Sequence, residues 1–278
     1  FIIYKKKLLN FLKKNNNFDL IIIFKGLYLD PVTLIKIKNV TKKSKIINIY
    51  PDDPFDISKD ISSQNVLRSA KYYDHFFIWS YKLKKKLSNN LKLVNVHLLP
   101  FGYDKFMHKP LKKSKNPFYD VSFIGTADKE RIEIIKKLEN LKVIVAGMGW
   151  KNVVLPKNIK KIKTAVNAKK MAEIYNNSKI CLNIFREQNY NSHNMKSFEI
   201  LSMKGLMLTR NSIDQKKFFK KNKGCLYYNN NKDIRNKINV VLANYKKYKK
   251  IKYMGYKLLK NHSYVNRTIE VLKKTNLL

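Results

Sequence analysis

Cysteine and long apolar runs are both scarce in this chain. Cys181 and Cys225 are its two cysteines, too few for a disulfide framework, so we expect a reducing, cytoplasmic setting. The apolar runs DLIIIF, FFIWSY and VIVAGM have the length of a strand and not of a membrane span. No signal-peptide pattern is present, and because the chain begins at Phe1 and not at a methionine, we expect its first domain to lack a piece at the start.

Acidic residues are scarce as well. Nineteen Asp and Glu stand against 59 Lys and Arg, which gives a net charge of +40. All but six of the basic residues are lysine, and asparagine, isoleucine and tyrosine are abundant beside them, as A/T-rich codons would encode. This charge fits a polyanionic partner or an anionic membrane, or else solvated lysines on an ordinary enzyme. Because the lysines are scattered along the chain, the second interpretation is favoured.

Patterns typical of nucleic-acid and metal sites are also missing. The sequence has no helix-turn-helix, zinc or RNP-type pattern, so we expect no specific nucleic-acid partner. No cluster of His, Cys and Asp has metal-ligand spacing, and no metal site is predicted. The membrane interpretation of the lysines is kept as an expectation of peripheral contact with the anionic inner face of the membrane.

What the chain does have is a regular alternation of strand and helix patterns. With 44% hydrophobic and 12% aromatic residues in 278, it can form two medium domains. Strands are predicted at 19–24, 45–50, 76–80, 94–98, 119–124 and 142–146, with helical patterns between them. This alternation predicts an α/β fold with parallel sheets. The predicted organisation is a first domain at 1–103, a Pro-rich linker at 104–118, a second domain at 119–262 and a closing helix at 263–278.

The segment 182–210 organises the second half. A strand ending at Phe185 leads into a polar loop, and a short helix begins near Met195 and is expected to end at Gly205. A strand, a loop and a helix N-terminus in this order favour an anion site, because free backbone N–H groups point into the loop. Glu199 lies one turn into that helix. Other candidate positions are the loops after each strand, because ligands of open parallel sheets bind at the carboxyl ends of the strands.

Several segments of the chain resemble a known family. They are SFIGTADKER, LNIFREQNYNSHNMKSFEILSMKGLMLT, FFKKNKGCLYYNNNKDI and HSYVNR in the second half, with YPDDPF, FIWSY and LPFGYDKFMHKP before them. Together they are similar to the CgeB-like, glycosyltransferase family-1-like proteins of the GT-B superfamily. The resemblance covers nearly the whole chain, and the segment around Phe198 and Glu199 is its most specific part.

The resemblance implies two facing Rossmann-like domains, with the nucleotide-sugar donor on the second, the acceptor mainly on the first, and the last helix packed back on the first domain. It places Glu199 on the donor ribose, and Arg186 and Lys196 at the diphosphate. The full set of predicted donor-binding residues is Gly125, Thr126, Arg131, Arg186, Lys196, Ser197, Phe198 and Glu199. GT-B enzymes generally work without a bound metal or cofactor, so we expect none beyond the nucleotide-diphosphate sugar itself.

Three residues are candidates for catalysis. Asp52 and Asp53 follow a predicted strand and suit a general base or an acceptor contact, although an Asx turn before Pro54 is the favoured explanation. His193 lies in the loop of the central segment, where capping or a loop hydrogen bond is the alternative.

Two departures from the family pattern bear on the reaction. Lys196 stands where the signature usually has arginine, and Asn191 stands where retaining GT-B enzymes have an acid eight residues before Glu199. The expected function is a hexosyltransferase-like, metal-independent glycosyltransferase that acts on a cell-envelope glycan, lipid or protein. The alternatives are a catalytically inactive sugar-nucleotide-binding or surface-associated structural protein and, less favoured, a charge-driven nucleic-acid binder.

Overall fold

The computed structural model describes residues 2–58, 61–111, 116–219 and 223–278. It divides the chain into two compact units, Phe1–Pro100 with Arg267–Leu278, and Phe101–Asn266. Residues 112–115 of the predicted linker and residues 220–222 of the motif FFKKNKGCLYYNNNKDI lie outside the described residues. The predicted domain limits stay a prediction.

In the first unit, helices alternate with the strands of a parallel sheet. Its elements are α1 (Ile2–Lys14), β1 (Leu20–Phe24), α2 (Pro31–Val40), β2 (Lys45–Tyr50), α3 (Gln64–Ser69) with a 3-10 turn (Ala70–Tyr72), β3 (His75–Ile78), α4 (Tyr81–Asn90) and β4 (Val96–Leu98). Within the described residues its sheet has the order β1-β2-β3-β4. Helix α2 begins where it does because Asp30 accepts the N–H of Thr33 at 2.9 Å and Pro31 fits the first helical position.

The second unit repeats this alternation around a larger sheet. Its elements are β5 (Tyr119–Ile124), α5 (Lys129–Lys136), β6 (Val143–Ala146), β7 (Ile159–Ile162), α6 (Ala168–Asn176), β8 (Ser178–Asn183), a 3-10 turn (Glu187–Asn189), α7 (Lys196–Ser202), β9 (Met207–Arg210), α8 (Ile213–Phe218), β10 (Leu226–Tyr228), α9 (Asp233–Ala243), α10 (Tyr245–Tyr248) and α11 (Ile251–Lys257). The last helix, α12 (Tyr264–Lys274), begins in this unit. Among the described residues, six parallel strands lie in the order β10-β9-β8-β5-β6-β7. From Arg267 onward, α12 belongs to the first unit.

The central strands of each sheet are buried, which explains why most of their residues are apolar. In the second unit, alternate residues of β5 face opposite sides: Val121 and Phe123 join one core cluster, and Ile124 joins the other. In the first unit, Ile47, Phe77 and Val271 of α12 form one buried cluster.

Two helix ends of the second unit have a local cause. Helix α9 ends where Asn244 leaves helical geometry (φ −116°) and its side-chain amide donates to the Val240 carbonyl. The residue in the left-handed conformation after α7 is Lys204 (φ +56°) and not Gly205. Gly205 is instead tightly enclosed, since a Cβ there would lie 2.8 Å from Cys181 Sγ. In the ranges that the structure describes, no helix combines the length and apolarity of a membrane span.

Candidate functional site

The sheet of the second unit reverses its strand order at one point. Strand β5 has β6 on one side and β8 on the other, so the loops after β5 and β8 leave the sheet in diverging directions. In parallel sheets, such a reversal opens a crevice at the carboxyl ends of the strands, and ligands bind there. The loop 125–128 after β5 and the loop 184–195 after β8 therefore border the candidate site.

The Arg131 side chain forms hydrogen bonds with both of these loops. Its Nη1 donates to the Thr126 carbonyl at 3.1 Å, and its Nη2 donates to the Ile184 carbonyl at 2.8 Å. The side chain is buried, and burial lowers the pKa of Arg131 while the charge of Asp128 opposes that shift. Arg131 thus holds the crevice in shape through two of its nitrogens; its predicted contact with the donor stays a prediction.

Asp128 holds both arginines of the crevice. One of its carboxylate oxygens lies 3.3 Å from Arg131 Nη1 and 3.6 Å from Arg186 Nε, and the other caps α5 by accepting the Arg131 N–H at 3.0 Å. The side chain of Arg186 is 52% exposed, so much of its guanidinium faces solvent. The structure therefore brings Arg186 and Arg131 to one carboxylate, which the sequence analysis did not single out.

Gly125 and Thr126 lie directly against the loop after β6. A Cβ on Gly147 (φ +139°) would come within 2.2 Å of the Gly125 carbonyl oxygen, so only glycine fits there. The same oxygen accepts the indole N–H of the fully buried Trp150 at 2.8 Å. These contacts fix the backbone of 125–126 at the mouth of the crevice, which suits a loop that approaches a phosphate closely.

Lys196 and Glu199 form an ion pair on the first turn of α7. Lys196 Nζ donates to Glu199 Oε2 at 2.6 Å, as expected for residues three apart on one helix. The Glu199 side chain is only 10% exposed, and Lys196 Nζ also lies 3.8 Å from Met171 Sδ of α6. The pair is held in place by its neighbours, and both groups retain further hydrogen-bonding capacity.

The backbone at the start of α7 is already hydrogen-bonded. The N–H of Ser197 donates to Asn194 Oδ1 at 3.1 Å, and those of Phe198 and Glu199 donate to the Met195 carbonyl. Ser197 Oγ donates to Gln215 Oε1 at 3.0 Å. Because these N–H groups already have acceptors, they are less available to an anion than the sequence pattern predicted. Lys196 is therefore the stronger candidate here for binding an anion. The donor-binding roles of Ser197 and Phe198 stay predictions.

His193 is fully buried, in a cluster of rings beside Phe101, Phe198 and Phe218. Its Nε2 accepts the backbone N–H of Phe101 at 3.2 Å, so the proton of a neutral ring is on Nδ1, which lies 3.1 Å from Ser192 Oγ. Ser192 in turn donates to Asp214 at 2.5 Å. The chain of bonds anchors the start of the second unit, and the predicted catalytic role of His193 stays a prediction.

Asp52 and Asp53 lie in the first unit, directly after β2. Asp52 pairs with Lys25 Nζ at 2.6 Å. Asp53 Oδ1 accepts the N–H of Phe55 at 2.9 Å, which is the Asx-turn geometry that the sequence analysis named as the alternative. Their catalytic roles stay predictions.

A polar cluster at the same edge of the second sheet was missed from the sequence. Tyr190 Oη and Asn231 Nδ2 both donate to Glu130 Oε1, and the Arg210 guanidinium lies 3.8 Å from the centre of the Tyr190 ring. Burial, with the bond to Glu130, raises the pKa of Tyr190 to about 12, so the phenol keeps its proton. The sequence contained a signal for this cluster, because Arg210 is the last residue of β9 and Asn231 follows β10, at the same strand ends where the predicted residues follow β5 and β8.

Metal ligands do not assemble anywhere in the described ranges. No group of three or more His, Cys, Asp or Glu side chains there is arranged to hold a metal ion.

Residues 129–273 match the sequence profile of the family described as glycosyl transferase-like. No match was found among curated proteins. The matched range includes α5 and its Arg131, the loop after β8 and the whole of α7. It therefore contains the Lys196–Glu199 pair and both arginines of the crevice.

Solved structures share the fold at low sequence identity. Sucrose-phosphate synthase from Thermosynechococcus elongatus superposes with a TM-score of 0.73 at 9% identity, over 97% of this chain and 76% of that one. HepE of Anabaena, solved in complex with UDP-glucose, superposes with a TM-score of 0.70 at 11% identity, over 99% of this chain and 82% of that one. An alpha-glucosyltransferase in complex with UDP-glucose and DNA containing an abasic site superposes with a TM-score of 0.69 at 13% identity, over 98% of this chain and 83% of that one. The predicted α/β fold with two parallel, Rossmann-like sheets of the GT-B type is confirmed.

Proposed function

The chain belongs to the glycosyl transferase-like family, and from that premise we propose that it moves a sugar from a nucleotide-diphosphate sugar to an acceptor. The observation that carries the proposal is the Lys196–Glu199 pair, 2.6 Å apart on α7. It follows the loop after β8, at the reversal of the strand order where open parallel sheets bind ligands. HepE, which shares the fold, was solved with UDP-glucose, a donor of the proposed class.

Glu199 and Lys196 are proposed to bind different parts of the donor. An ionised carboxylate only accepts hydrogen bonds and has two oxygens, so Glu199 suits the two hydroxyls of a ribose. The Lys196 ammonium has three donors and gives one to Glu199, which leaves the others for a diphosphate oxygen. Arg186 is half-exposed and lies beside Asp128 of the loop after β5, where it supplies a second cation.

Charge on the leaving diphosphate is then offset by side chains. Lys196 and Arg186 stabilise it without a metal, in line with the metal-independent reaction expected from the resemblance. The finer assignment to the CgeB-like group and to hexose transfer rests on the motifs between residues 182 and 209. An acceptor in the cell envelope, whether glycan, lipid or protein, and a cytoplasmic location are part of the same proposal.

Donor binding tests this function directly. A thermal-shift screen of UDP-, GDP-, TDP- and CMP-sugars is expected to find a ligand that stabilises the protein by about 2.7 kcal/mol at a hundred times its Kd. Calorimetry with that ligand then compares Glu199→Gln with the wild type. Loss of a hydrogen-bond acceptor with full charge is expected to weaken binding by about 1.5–3 kcal/mol.

The chain offers a matched control in Glu173→Gln. Glu173 also pairs with a lysine three residues away, Lys170 at 2.8 Å, but on the exposed face of α6. This variant is expected to bind the donor as the wild type does. A folded Glu199→Gln variant with unchanged affinity would show that the donor lies elsewhere.

Asn191 supports a second candidate, a protein that binds the sugar nucleotide but does not transfer the sugar. The residue stands where the retaining GT-B pattern has an acid, and its side chain is exposed in the loop after β8. Two measurements on the same protein distinguish the candidates: donor binding by calorimetry, and release of the nucleotide diphosphate over hours. Tight binding with no release above the uncatalysed rate, across glycan and lipid acceptors, would favour the inactive protein.

A further inference from the structure

Exposed apolar side chains are concentrated at the start of the described chain. Of the 31 large hydrophobic side chains that are exposed across the described residues, ten lie between residues 3 and 35. Scattered exposed apolar residues are normal on a protein surface, so the question is which of these ten side chains lie side by side on one element.

Helix α1 presents two different faces. Its inner face contains Leu12, which is buried, and Lys5, which pairs with Asp30 at the start of α2. Its outer face carries Tyr4, Leu8 and Phe11, spaced four and three residues apart, so they form one stripe along the helix. Tyr4 is 73% exposed and Phe11 is 54% exposed.

The stripe continues beyond the end of the helix. The ring of Phe11 stacks on that of Phe18, with 6.4 Å between centroids, and Phe18 is itself exposed. An apolar surface that is two helical turns long and extends into the following segment is larger than a single exposed side chain would give.

Only positive charges flank the stripe within the helix. The sequence of α1, IIYKKKLLNFLKK, contains no acid, and Lys6, Lys7, Lys13 and Lys14 are exposed. Lys7 and Lys14 are seven residues apart, so they line the same side of the stripe two turns from one another. Aromatic and aliphatic side chains bordered by lysines fit the boundary between the acyl chains and headgroups of an anionic bilayer.

We propose that the outer face of α1, with Tyr4, Leu8 and Phe11 bordered by lysines, lies on the surface of an anionic lipid bilayer. The apolar side chains enter the headgroup boundary, and the lysines contact lipid phosphates. Charge complementarity selects this occupant, since a polyanion such as nucleic acid would pair with the lysines but offer no apolar phase to the stripe. The proposal does not depend on sugar transfer, because α1 lies in the first unit and the proposed donor residues lie in the second.

Vesicle binding tests the proposal with the full chain and no donor. Wild-type protein is expected to co-sediment with phosphatidylcholine vesicles in which part of the lipid is replaced by phosphatidylglycerol, and only weakly with phosphatidylcholine alone. Leu8→Ser with Phe11→Ser is expected to lower the partition coefficient roughly tenfold or more. Lys7→Gln with Lys14→Gln is expected to lower it by a similar factor, since each lysine near an anionic surface contributes roughly fivefold.

A matched control has the same change of charge in the second unit. Lys246→Gln with Lys247→Gln on α10 removes two lysines and leaves α1 intact, so binding is expected to change by no more than about twofold. Circular dichroism and the melting temperature verify that each variant is folded.

A tryptophan at position 4 reports insertion itself. Trp79 and Trp150 are both buried, so Tyr4→Trp adds an indole whose environment differs from theirs. Its emission is expected to shift to the blue on anionic vesicles, whereas Tyr253→Trp, at an exposed position on α11, is expected to keep its emission. Two results would overturn the proposal. The first is that the Leu8→Ser/Phe11→Ser variant binds anionic vesicles as strongly as the wild type does. The second is that light scattering shows a wild-type dimer which this variant abolishes, because another copy of the chain would then cover the stripe.

Discussion

The two units contain the same kind of sheet but differ in strand order. In the described part of the first unit, β1 to β4 follow one another in sequence, so no reversal opens a crevice there. In the second unit β5 lies between β6 and β8, and the loops on either side of that reversal, with the helices that follow them, carry Arg131, Arg186 and the Lys196–Glu199 pair. Strand order, more than composition, thus distinguishes the second sheet, which has such a reversal, from the described strands of the first, which have none.

The units also differ in what they bury and expose. The second unit buries polar side chains around its crevice, among them Arg131, Asn183 and Asp214. The first unit exposes apolar side chains on α1, together with four lysines of the same helix. A buried polar network specifies one arrangement of loops, whereas an exposed apolar stripe serves an external partner.

The largest expected effect comes from a glycine in each unit. Gly147→Ala would place a Cβ 2.2 Å from the Gly125 oxygen at φ +139°, and we expect it to cost at least about 3 kcal/mol of stability. Gly26→Ala, at φ +76° with its nearest neighbours 3.0 Å away, is expected to cost about 1–2 kcal/mol. Denaturant unfolding followed by circular dichroism measures both. Similar costs would mean that the loops after β5 and β6 are less tightly fixed than the contacts indicate.

The second prediction compares two arginines within the second unit. Arg131→Lys replaces a buried fork that reaches two loops with a single ammonium, and we expect a loss of about 2–3 kcal/mol. Arg235 also donates to two carbonyls, those of Lys137 and Glu139, but at an exposed position, so Arg235→Lys is expected to cost less than about 0.5 kcal/mol. Hydrogen exchange of the amides in 125–128 adds a local readout: it is expected to rise in Arg131→Lys alone.

The third prediction tests the chain of bonds behind His193. Ser192→Ala removes the hydroxyl between the His193 ring and the buried Asp214 carboxylate, and we expect a cost of about 1.5–2.5 kcal/mol. Ser202 is buried too, but its hydroxyl donates to the Glu199 carbonyl of its own helix, so Ser202→Ala is expected to cost less than about 1 kcal/mol. Thermal unfolding of the two variants measures both losses of stability. A larger loss in Ser202→Ala than in Ser192→Ala would contradict the prediction.

The sequence predicted the buried strands well, for a physical reason. Residues 45–50 and 119–124 were predicted with the limits that β2 and β5 have, because most residues of these two central strands are apolar and buried. Strand β7 was not predicted, since its sequence IKKI at the edge of the sheet carries two lysines. One of them, Lys161, bonds to the carbonyls of Lys151 and Val153, a contact that no local pattern reveals.

The candidate site was predictable only where local spacing decides it. Lys196 and Glu199 are three residues apart on the helix predicted to begin near Met195, a spacing that brings two side chains to one face, and they lie 2.6 Å apart in the structure. The bonds of Arg131 to Thr126 and Ile184, and those of Glu130 to Tyr190 and Asn231, join loops far apart in sequence. Such contacts depend on strand order, which a single sequence does not reveal.

The smallest expected effect concerns pH and lies in the first unit. His75 on β3 and His97 on β4 contact one another, with 2.9 Å between His75 Nδ1 and His97 Nε2. Burial, and then the positive neighbours His75, Lys274 and Lys84, lower the pKa of His97 from 6.5 to about 4, and burial also lowers the pKa of His75. The unfolded chain therefore takes up a proton at a higher pH than the folded chain does.

This difference fixes the sign of the pH dependence. Stability from the neutral His97 is fully present above pH 6.5 and is lost as the pH falls towards 4, because the unfolded state binds more protons in that window. Since solvent partly screens both rings, we expect a contribution under about 1 kcal/mol. Melting temperatures at several pH values from 7 to 4 are expected to fall less steeply in His97→Gln than in the wild type. His262, which lies among the aromatic rings of the second unit, is the comparison. If His262→Gln flattened the profile as His97→Gln does, the pH dependence would not belong to the His75–His97 pair.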